Sequence, residues 1–537
     1  MTDSRTATNV HPRRWWILLV LCMSVLLVTV DNTIVNVALP TISTELSAGT
    51  RDLQWIVDAY TLVFAGMLLM GGNLGDRLGR RRMLQAGLVL FGLTSLATAL
   101  AQTTSQLILG RALMGAAAAL IYPATLALLS NTFSSARERA TAIGIWSGVS
   151  GLAVALGPVS GGLLLERFSW NAVFLVNVPF VVLALVAGRA LLPEFRDTSA
   201  GRYDIAGALL SVGGIGALVW TVIEAPDHGW TSTTTLLGFL ASMMLIAGFV
   251  AWEMRRRDPL LDVRLFANPR FSAASGAIAL AFFGLFGFIF MITQYFQMVR
   301  GYGTLEAGLA TLPFAIVIGA LSPVAIIAMK RVGTTWVVTS GLALMSVGFL
   351  VASGTELQSA YRGRVIVSMV LMAAGLALTA GPATDAVMGA LPRAKAGAGS
   401  AVNDTTREIG GTLGVAVVGS VMSSLYGPRV IDSLTALGVP PATAQPARDS
   451  VGGGLSLVGA LPSTLQGPAG LAVRQAFLDG LSAGSLVAAG ATALAAVATL
   501  VLLPARGAAE EDAPRVPSDD PVDRQPGAEL VPQGGRV

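Results

Sequence analysis

WWILLVLCMSVLLVTVDNTIVNV, Trp15 to Val37, carries no basic residue and a single acid, Asp31. As a helix it would rise roughly 35 Å at 1.5 Å per residue, and a bilayer's hydrocarbon layer is about 30 Å thick, so the stretch is long and apolar enough to cross a membrane. The arginines before it, Arg13 and Arg14, suggest the start of a signal peptide, but the apolar run is too long and ends without a small-residue cleavage site, so it reads as an uncleaved first span. Comparable runs, separated by short charged loops, continue to about Pro504. They predict about 14 spans, roughly at 15–37, 53–73, 83–101, 106–129, 140–163, 171–192, 205–223, 234–253, 272–296, 306–329, 335–353, 364–387, 401–425 and 480–504. The fold class is therefore an all-α membrane protein.

Composition points the same way. Of 537 residues, 53% are hydrophobic and 12% charged, where a soluble domain carries about a quarter charged residues. The net charge of +4 is spread over short loops and forms no basic face, which argues against a nucleic-acid partner. One cysteine, Cys22, sits inside the first apolar run, so neither a disulfide framework nor a cysteine metal site is expected. No G-x-x-x-x-G-K-[ST] phosphate loop occurs, and no nucleophile, base and metal-ligand constellation marks an enzyme; no metal or cofactor is expected.

Charge placement sets an orientation. With the N-terminus cytoplasmic, the inside loops hold Arg77, Arg80 to Arg82, Arg137, Arg139, Arg255 to Arg257, Lys330, Arg331, Arg393 and Lys395, and the outside loops only scattered cations such as Arg51, Arg167 and Arg300. Both termini are then expected in the cytoplasm. The halves also echo each other. Arg77-Leu78-Gly79 is followed eight residues on by Gly87-Leu88-Val89-Leu90, and Arg331-Val332-Gly333 by Gly341-Leu342-Ala343-Leu344 at the same spacing. Matching spacing on matching loops reads as the internal duplication from which transporters are built. Residues 428–478, rich in Gly, Ala, Ser and Pro, read as a long outside loop with an amphipathic piece near Leu471 to Leu478, and residues 505–537 as an acidic, disordered cytoplasmic tail.

The loop after the second span reads GNLGDRLGRRR, Gly72 to Arg82, in which Gly72, Asp76, Arg77, Gly79 and Arg80 form a close-packed, charge-linked turn suited to a conformational latch. This pattern resembles the signature loop of the major facilitator superfamily. Other segments narrow the resemblance to its 14-helix drug:proton antiporter branch: DNTIVNVALP (Asp31 to Pro40) its first-helix motif, and Ile108-Leu109-Gly110-Arg111 with Gly115 its fourth-helix motif, in which a buried arginine is linked to proton coupling. Gly144, Gly157, Pro158, Gly161 and Gly162 in the fifth span are similar to the motif that distinguishes exporters, with Ala153 where that motif usually has glycine. WIVDAY (Trp55 to Tyr60) and AGAGSAVNDTTREIGG (Ala396 to Gly411) are similar to segments of quaternary-ammonium and dye exporters and of drug exporters from high-GC bacteria.

The resemblance covers about residues 13–425 and implies two six-helix bundles, 15–192 and 272–504, around a central segment, 193–271, with two extra helices, after a cytoplasmic N-terminus at 1–14. It implies a bacterial plasma-membrane exporter of hydrophobic, cationic drugs or antibiotics, driven by protons and working as a monomer. The alternatives are export of an endogenous metabolite or lipid, or a non-transporting membrane sensor.

A charge at mid-bilayer costs roughly 2.5–3.5 kcal/mol, so each one asks for a partner or a function. Asp31 lies about 24 Å into an outward-running span, and Asp58 and Arg111 about 8 Å into inward-running ones. In a layer about 30 Å thick the three fall at similar depth and are expected in one cluster. A desolvated carboxylate holds a proton that a nearby arginine can expel, which gives Asp31 either a role in proton and cation handling or a structural pairing with Arg111. Asp58 is either a second such site or a favourable first-turn acid. The two histidines, His11 and His228, fall outside the spans. A second polar cluster, Asp385, Asn403, Asp404, Arg407 and Glu408, reads as a solvated inner gate or a second protonation site. Among the aromatics of the ninth span, Phe286 and Phe290, with Gln294 and Gln297, are candidate substrate contacts.

Overall fold

The computed structural model describes residues 13–133, 135–195, 204–256, 259–390 and 396–503, without the side chains of Leu69, Asn73, Asp76, Ala136, Arg137, Ala140, Ala155 and residues 396–401. The N-terminal residues 1–12, the tail beyond 503, and Arg257, Arg393 and Lys395 of the expected inside loops lie outside the described residues. Among those described, every regular element is helical. The first half holds α1 (Arg14–Glu45), α2 (Thr50–Leu78), α3 (Arg80–Ala99), α4 (Thr104–Thr132), α5 (Ala136–Leu165), the short α6 (Ala172–Leu175) and α7 (Asn177–Leu191); α8 (Ile205–His228) and α9 (Thr233–Arg255) form a hairpin. The second half holds α10 (Pro269–Gln294), α11 (Thr304–Ala310), α12 (Leu312–Val332), α13 (Thr334–Ser353), α14 (Ile366–Gly389), α15 (Ala396–Ala436), α16 (Pro441–Asp449), α17 (Val451–Ala460) and α18 (Ser463–Leu502).

Twelve helical segments among the described residues are long and apolar enough to cross a membrane, and thirteen if the bent α5 counts as one span. The fourteenth expected span is α2. At 29 residues it is long enough. Its interior carries Gln54, Asp58 and Thr61, all buried against neighbouring helices rather than turned to lipid, so it has no need to be apolar all round. The bend in α5 is 42°, between Thr141–Val154 and Leu156–Leu165. Pro158 supplies the cause, because its ring nitrogen cannot bond the carbonyl of Val154 and its ring crowds that turn.

The duplication has a structural counterpart. α2 and α3 are joined through Gly79 at φ +110°, and α12 and α13 through Gly333 at φ +93°. Both lie in a backbone region that side chains avoid, so the same sharp turn is made by the same residue in each half. We call the end of the bundle that carries Gly79 and Arg80 the basic face and the opposite end, at Glu45 to Gly49, the capped face.

The cap replaces the expected loop at 428–478. α15 and α18, at 41 and 40 residues, are each roughly 60 Å long, about twice a hydrocarbon core, and run on past the other helices. α16 and α17 fill the space between their extensions and rest on the first half. Ser450 Oγ lies 3.2 Å from Ser43 Oγ of α1, and Tyr426 donates its hydroxyl to the Ser450 carbonyl at 3.1 Å. Burial, and then the neighbouring Asp227 carboxylate, push the Asp449 carboxyl above its ordinary range at this junction. A recess of about 670 Å³ between the two extensions, lined by Arg429, Asp432 and Asp479 among others, is set apart from the charges buried in the bundle.

Toward the capped face, α5 packs closely against α1 of its own half and against α11 of the other half. Any Cβ on Gly157 would collide with Thr33 of α1, and one on Gly161 or Gly162 would fall 2.9 Å from Ile34 Cγ1 or 2.6 Å from the Thr304 carbonyl of α11. Pro158 meets Gly308 backbone to backbone. Gly144, on the other side of the bend, has nothing within 4 Å of its Cβ position. On the other flank Gln54 donates to the carbonyl of Ala416 at 2.9 Å, and Thr412 donates to Thr61 at 2.9 Å. α8 lies across this flank: Val219, Val222 and Ile223 bury against Ala416, and Glu224 pairs with Arg51 at 2.7 Å.

The signature loop ties the first half to itself. Arg80 donates to the Ala127 carbonyl of α4 at 3.2 Å, the Arg81 backbone to Glu194 at 3.2 Å, and Arg82 pairs with Glu194 at 3.6 Å. A Cβ on Gly72 would lie 3.6 Å from Pro123 Cβ, in ordinary contact, and Arg77 is also engaged. The side chain of Asp76, expected at the centre of this latch, lies outside the described residues.

Candidate functional site

Asp31 of α1 and Arg111 of α4 form an ion pair of 2.6 Å in which neither side chain has any exposed surface. Small residues bring the helices close enough: Gly115 sits against the Tyr60 backbone of α2, and Gly110 against Thr98 of α3. Arg111 makes two further contacts and leaves Nη2 buried without a hydrogen-bond partner. Its Nε donates to the Ile56 carbonyl at 3.1 Å, and its guanidinium carbon lies 4.2 Å from the centre of the Tyr60 ring. The other oxygen of Asp31 accepts from Asn177 Nδ2 at 2.7 Å, and the same amide donates to Ser95 Oγ at 3.1 Å. Asp31 is thus held from both sides, by a charge and by an amide.

Asn177, from α7, carries no signal in the sequence; a lone asparagine in an apolar run gives no pattern, and only the fold shows what it meets. Asn177→Ala removes the donor to a fully buried carboxylate oxygen. The expected cost is about 1–3 kcal/mol, read as a lower unfolding temperature of the purified protein in detergent, with Asn177→Gln no better because the longer amide overshoots.

Asp58 differs. It is fully buried on α2, yet neither of its oxygens has a hydrogen-bond partner. The expected three-residue cluster is therefore divided: Arg111 reaches the α2 backbone at Ile56 and bonds Asp31, while Asp58 bonds neither.

The second cluster is partly assembled. The Thr384 hydroxyl of α14 lies between Asn403 Oδ1 at 3.0 Å and Arg407 Nη2 at 2.9 Å. Asn403 donates to Asp404 at 3.3 Å, Arg407 approaches Asp404 at 4.0 Å, and its guanidinium lies 5.2 Å from the Phe282 ring. Glu408 leaves Oε2 buried and without a partner. Asp385 is exposed, and the hydrogen bonds joining this group pass through its neighbour Thr384.

The four residues expected to touch substrate serve mainly as packing. Phe290 is fully buried, Phe286 lies over Gly411, and Gln294 is folded back onto the Phe290 carbonyl at 3.0 Å. Gln297 donates to the Val37 carbonyl of α1 at 2.9 Å, which makes it a tie between the halves. The aromatic group that does line up is elsewhere: Tyr60, Phe64, Tyr122 and Trp146 follow one another at centroid distances of 6.0, 5.9 and 5.3 Å. These rings come from three helices, so no sequence spacing reveals them.

A bundle of at least a dozen spans, repeated between its halves and holding charges at mid-depth, defines a membrane transporter. The chain belongs to the major facilitator superfamily, whose family model matches residues 21–415. It is similar to the multidrug efflux pump LfrA of Mycolicibacterium smegmatis, 36% identical over 90% of this chain and 95% of that protein. It is likewise similar to the tetracenomycin C resistance and export protein of Streptomyces glaucescens, 35% identical over 96% of each. Both similarities agree with the drug:proton antiporter branch. Among solved structures, a bacterial homolog of the human lysosomal transporter Spinster superposes with a TM-score of 0.64 at 19% identity, covering 91% of this chain and 98% of that one, a likeness of fold.

Proposed function

We propose that this protein is a proton-coupled secondary transporter of the plasma membrane that exports hydrophobic, cationic drug-like molecules by alternating access. The relatives named above support export of drugs. The observation that carries the coupling is Asp58, a fully buried carboxyl with neither oxygen bonded, whereas Asp31 is already neutralised by Arg111. A buried anion without a partner is costly, and a proton removes that cost without any rearrangement. Asp58 is accordingly the proton carrier, and the Asp31–Arg111 pair the rigid element that holds its helix in place.

The basic face is cytoplasmic, as the loop charges predict, with both termini on that side. The tight contacts of Pro158 and Gly162 with α11 close the outer end between the bundles, those of Gly157 and Gly161 hold α5 to α1, and the signature loop stiffens the inner end of the first bundle. The two bundles, 15–192 and 272–504, rock about this contact with the central segment riding on one flank, each chain acting as a monomer in the bilayer. No bound cofactor is required, because one proton entering across about 100 mV supplies roughly 2.3 kcal/mol and one pH unit about 1.4 more. That supports a gradient of several hundredfold for a neutral substrate, at about 1.4 kcal/mol per factor of ten. For a monovalent cation exchanged against one proton the voltage contribution cancels, and the pH difference alone drives export.

Efflux of ethidium from cells expressing the protein tests this. Efflux should exceed that of cells carrying empty vector and should collapse when a protonophore is added. Efflux equal to the vector control, with the protein present in the membrane, would contradict the reading.

A further inference from the structure

The α8–α9 hairpin sorts its charges by sign at the basic face. α8 ends at the capped face, where Glu224 meets Arg51, so α9 runs back and its last residue, Arg255, stands at the basic face. One side of α9, Thr235, Ser242, Phe249 and Glu253, is turned inward and buried. The opposite side, Leu237, Leu240, Met244, Ala251 and then Arg255, is exposed throughout. At 3.6 residues per turn these positions fall on one stripe, so Arg255 ends the surface that α9 shows to lipid and leaves the hydrocarbon at the depth of the headgroups. The acids of this end are engaged within the protein. Asp204, the N-cap of α8, accepts from the Gly207 backbone at 2.8 Å and from Trp252 Nε1 at 2.9 Å, and pairs with Arg256 at 3.4 Å. Glu253 accepts from the Leu261 backbone and Asp262 from that of Arg264, each at 3.3 Å. Arg264, in the 3-10 turn Val263–Ala267, is exposed and donates Nη2 to the Met254 carbonyl at 2.7 Å, which lays its guanidinium on the last turn of α9 next to Arg255. Among the described residues no acid pairs with either arginine.

We propose that the headgroup phosphate of an anionic phospholipid docks between Arg255 and Arg264, with its acyl chains along the exposed stripe of α9. Two adjacent guanidinium groups without a counter-anion repel each other, and the oxygens of a phosphodiester accept from both planar forks at once. The apolar stripe selects a lipid over a free anion, because a chain hanging from a phosphate at Arg255 lies along Ala251, Met244 and Leu240. Trp252 and Met254 are exposed on the same turn, at the depth where an indole ring suits the edge of the bilayer. An anionic headgroup is favoured over a zwitterionic one, whose ammonium would bring a further positive charge beside two arginines. The bound lipid then ties α9 to the turn that leads into α10, and so the hairpin to the second half, whatever the substrate.

Thermal unfolding of the full-length protein in nanodiscs tests this, with phosphatidylcholine alone and with part of it replaced by phosphatidylglycerol. Phosphatidylglycerol should raise the unfolding temperature of the wild type by about 5 °C, Arg255→Gln should remove about half of that gain, and Arg255→Gln with Arg264→Gln nearly all of it. Arg255 makes no bond within the described protein, so Arg255→Gln should match wild type in phosphatidylcholine alone, which separates a lost lipid from a damaged fold. Arg255→Lys should keep most of the gain, and Arg167→Gln, which removes an exposed cation from the opposite face, all of it. A wild type that gains nothing from phosphatidylglycerol, or a gain undiminished in the double variant, overturns the docking place. A gain of the same size from inorganic phosphate added to phosphatidylcholine nanodiscs assigns the two arginines to a free anion and overturns the lipid.

Discussion

Arg111→Gln is expected to lower the stability of the purified protein by about 3–5 kcal/mol, because breaking a buried ion pair strands a charge away from water. The substitution removes one partner of an ion pair with no exposed surface and leaves Asp31 facing an amide where a guanidinium donated at 2.6 Å. It also takes away the donor to the Ile56 carbonyl and the cation above Tyr60, so α1, α2 and α4 lose a common tie. Asp31→Asn should cost a similar amount, because the arginine is then the unpaired charge. The double variant should be better than the sum of the two, since no isolated charge remains. Thermal unfolding in detergent of the wild type and the three variants reads this directly. Single-variant losses below about 1 kcal/mol, or strictly additive ones, would mean that the pair is hydrated and that Asp31 is free to titrate in its own right.

Asp58→Asn is expected to do the reverse: leave the fold at least as stable as wild type and abolish proton-driven export. The carboxyl makes no hydrogen bond that an amide would lose, and the amide cannot be ionised, so the cost of burying a charge at this position disappears. Export against a gradient should fall at least tenfold, whereas exchange of substrate for substrate across the membrane, which needs no net proton movement, should persist. Equal loss of both activities would point to a binding role for Asp58 instead of coupling.

How far the sequence anticipates the molecule depends on what kind of information each feature uses. Spans and the repeat are legible because they are local: a long apolar run is a span whatever it packs against, and Arg77-Leu78-Gly79 and Arg331-Val332-Gly333 each encode a turn that requires glycine. The kink of α5 is legible from Pro158 for the same reason. Depth arithmetic brings Asp31 and Arg111 together correctly, since both lie on helices of known direction. It has no power to separate Asp58 from them, because depth says nothing of the direction in which a side chain points around its helix.

Other features depend on long-range packing. The residues at 428–478 look like a loop from their Gly, Ala, Ser and Pro content, yet small residues are also what closely packed helices need, and α16, α17 and the extended α15 and α18 use them in that way. Span nine carries a dense run of phenylalanines and draws attention by number alone, but that run mostly fills the interior of the second half. The rings that do line up, Tyr60, Phe64, Tyr122 and Trp146, come from three helices and meet only in the fold. Asn177 is invisible in the sequence for the same reason, one polar residue whose partner lies 146 positions away.

The central claim, that Asp58 carries the proton exchanged for substrate, is tested most directly with purified protein in vesicles that enclose a pH-sensitive dye. Adding a cationic substrate on one side should move protons in the opposite direction through the wild type and through no Asp58→Asn vesicle, with substrate-for-substrate exchange preserved in both. Substrate-dependent proton movement of wild-type size in Asp58→Asn would contradict the account and place the proton on another carboxyl.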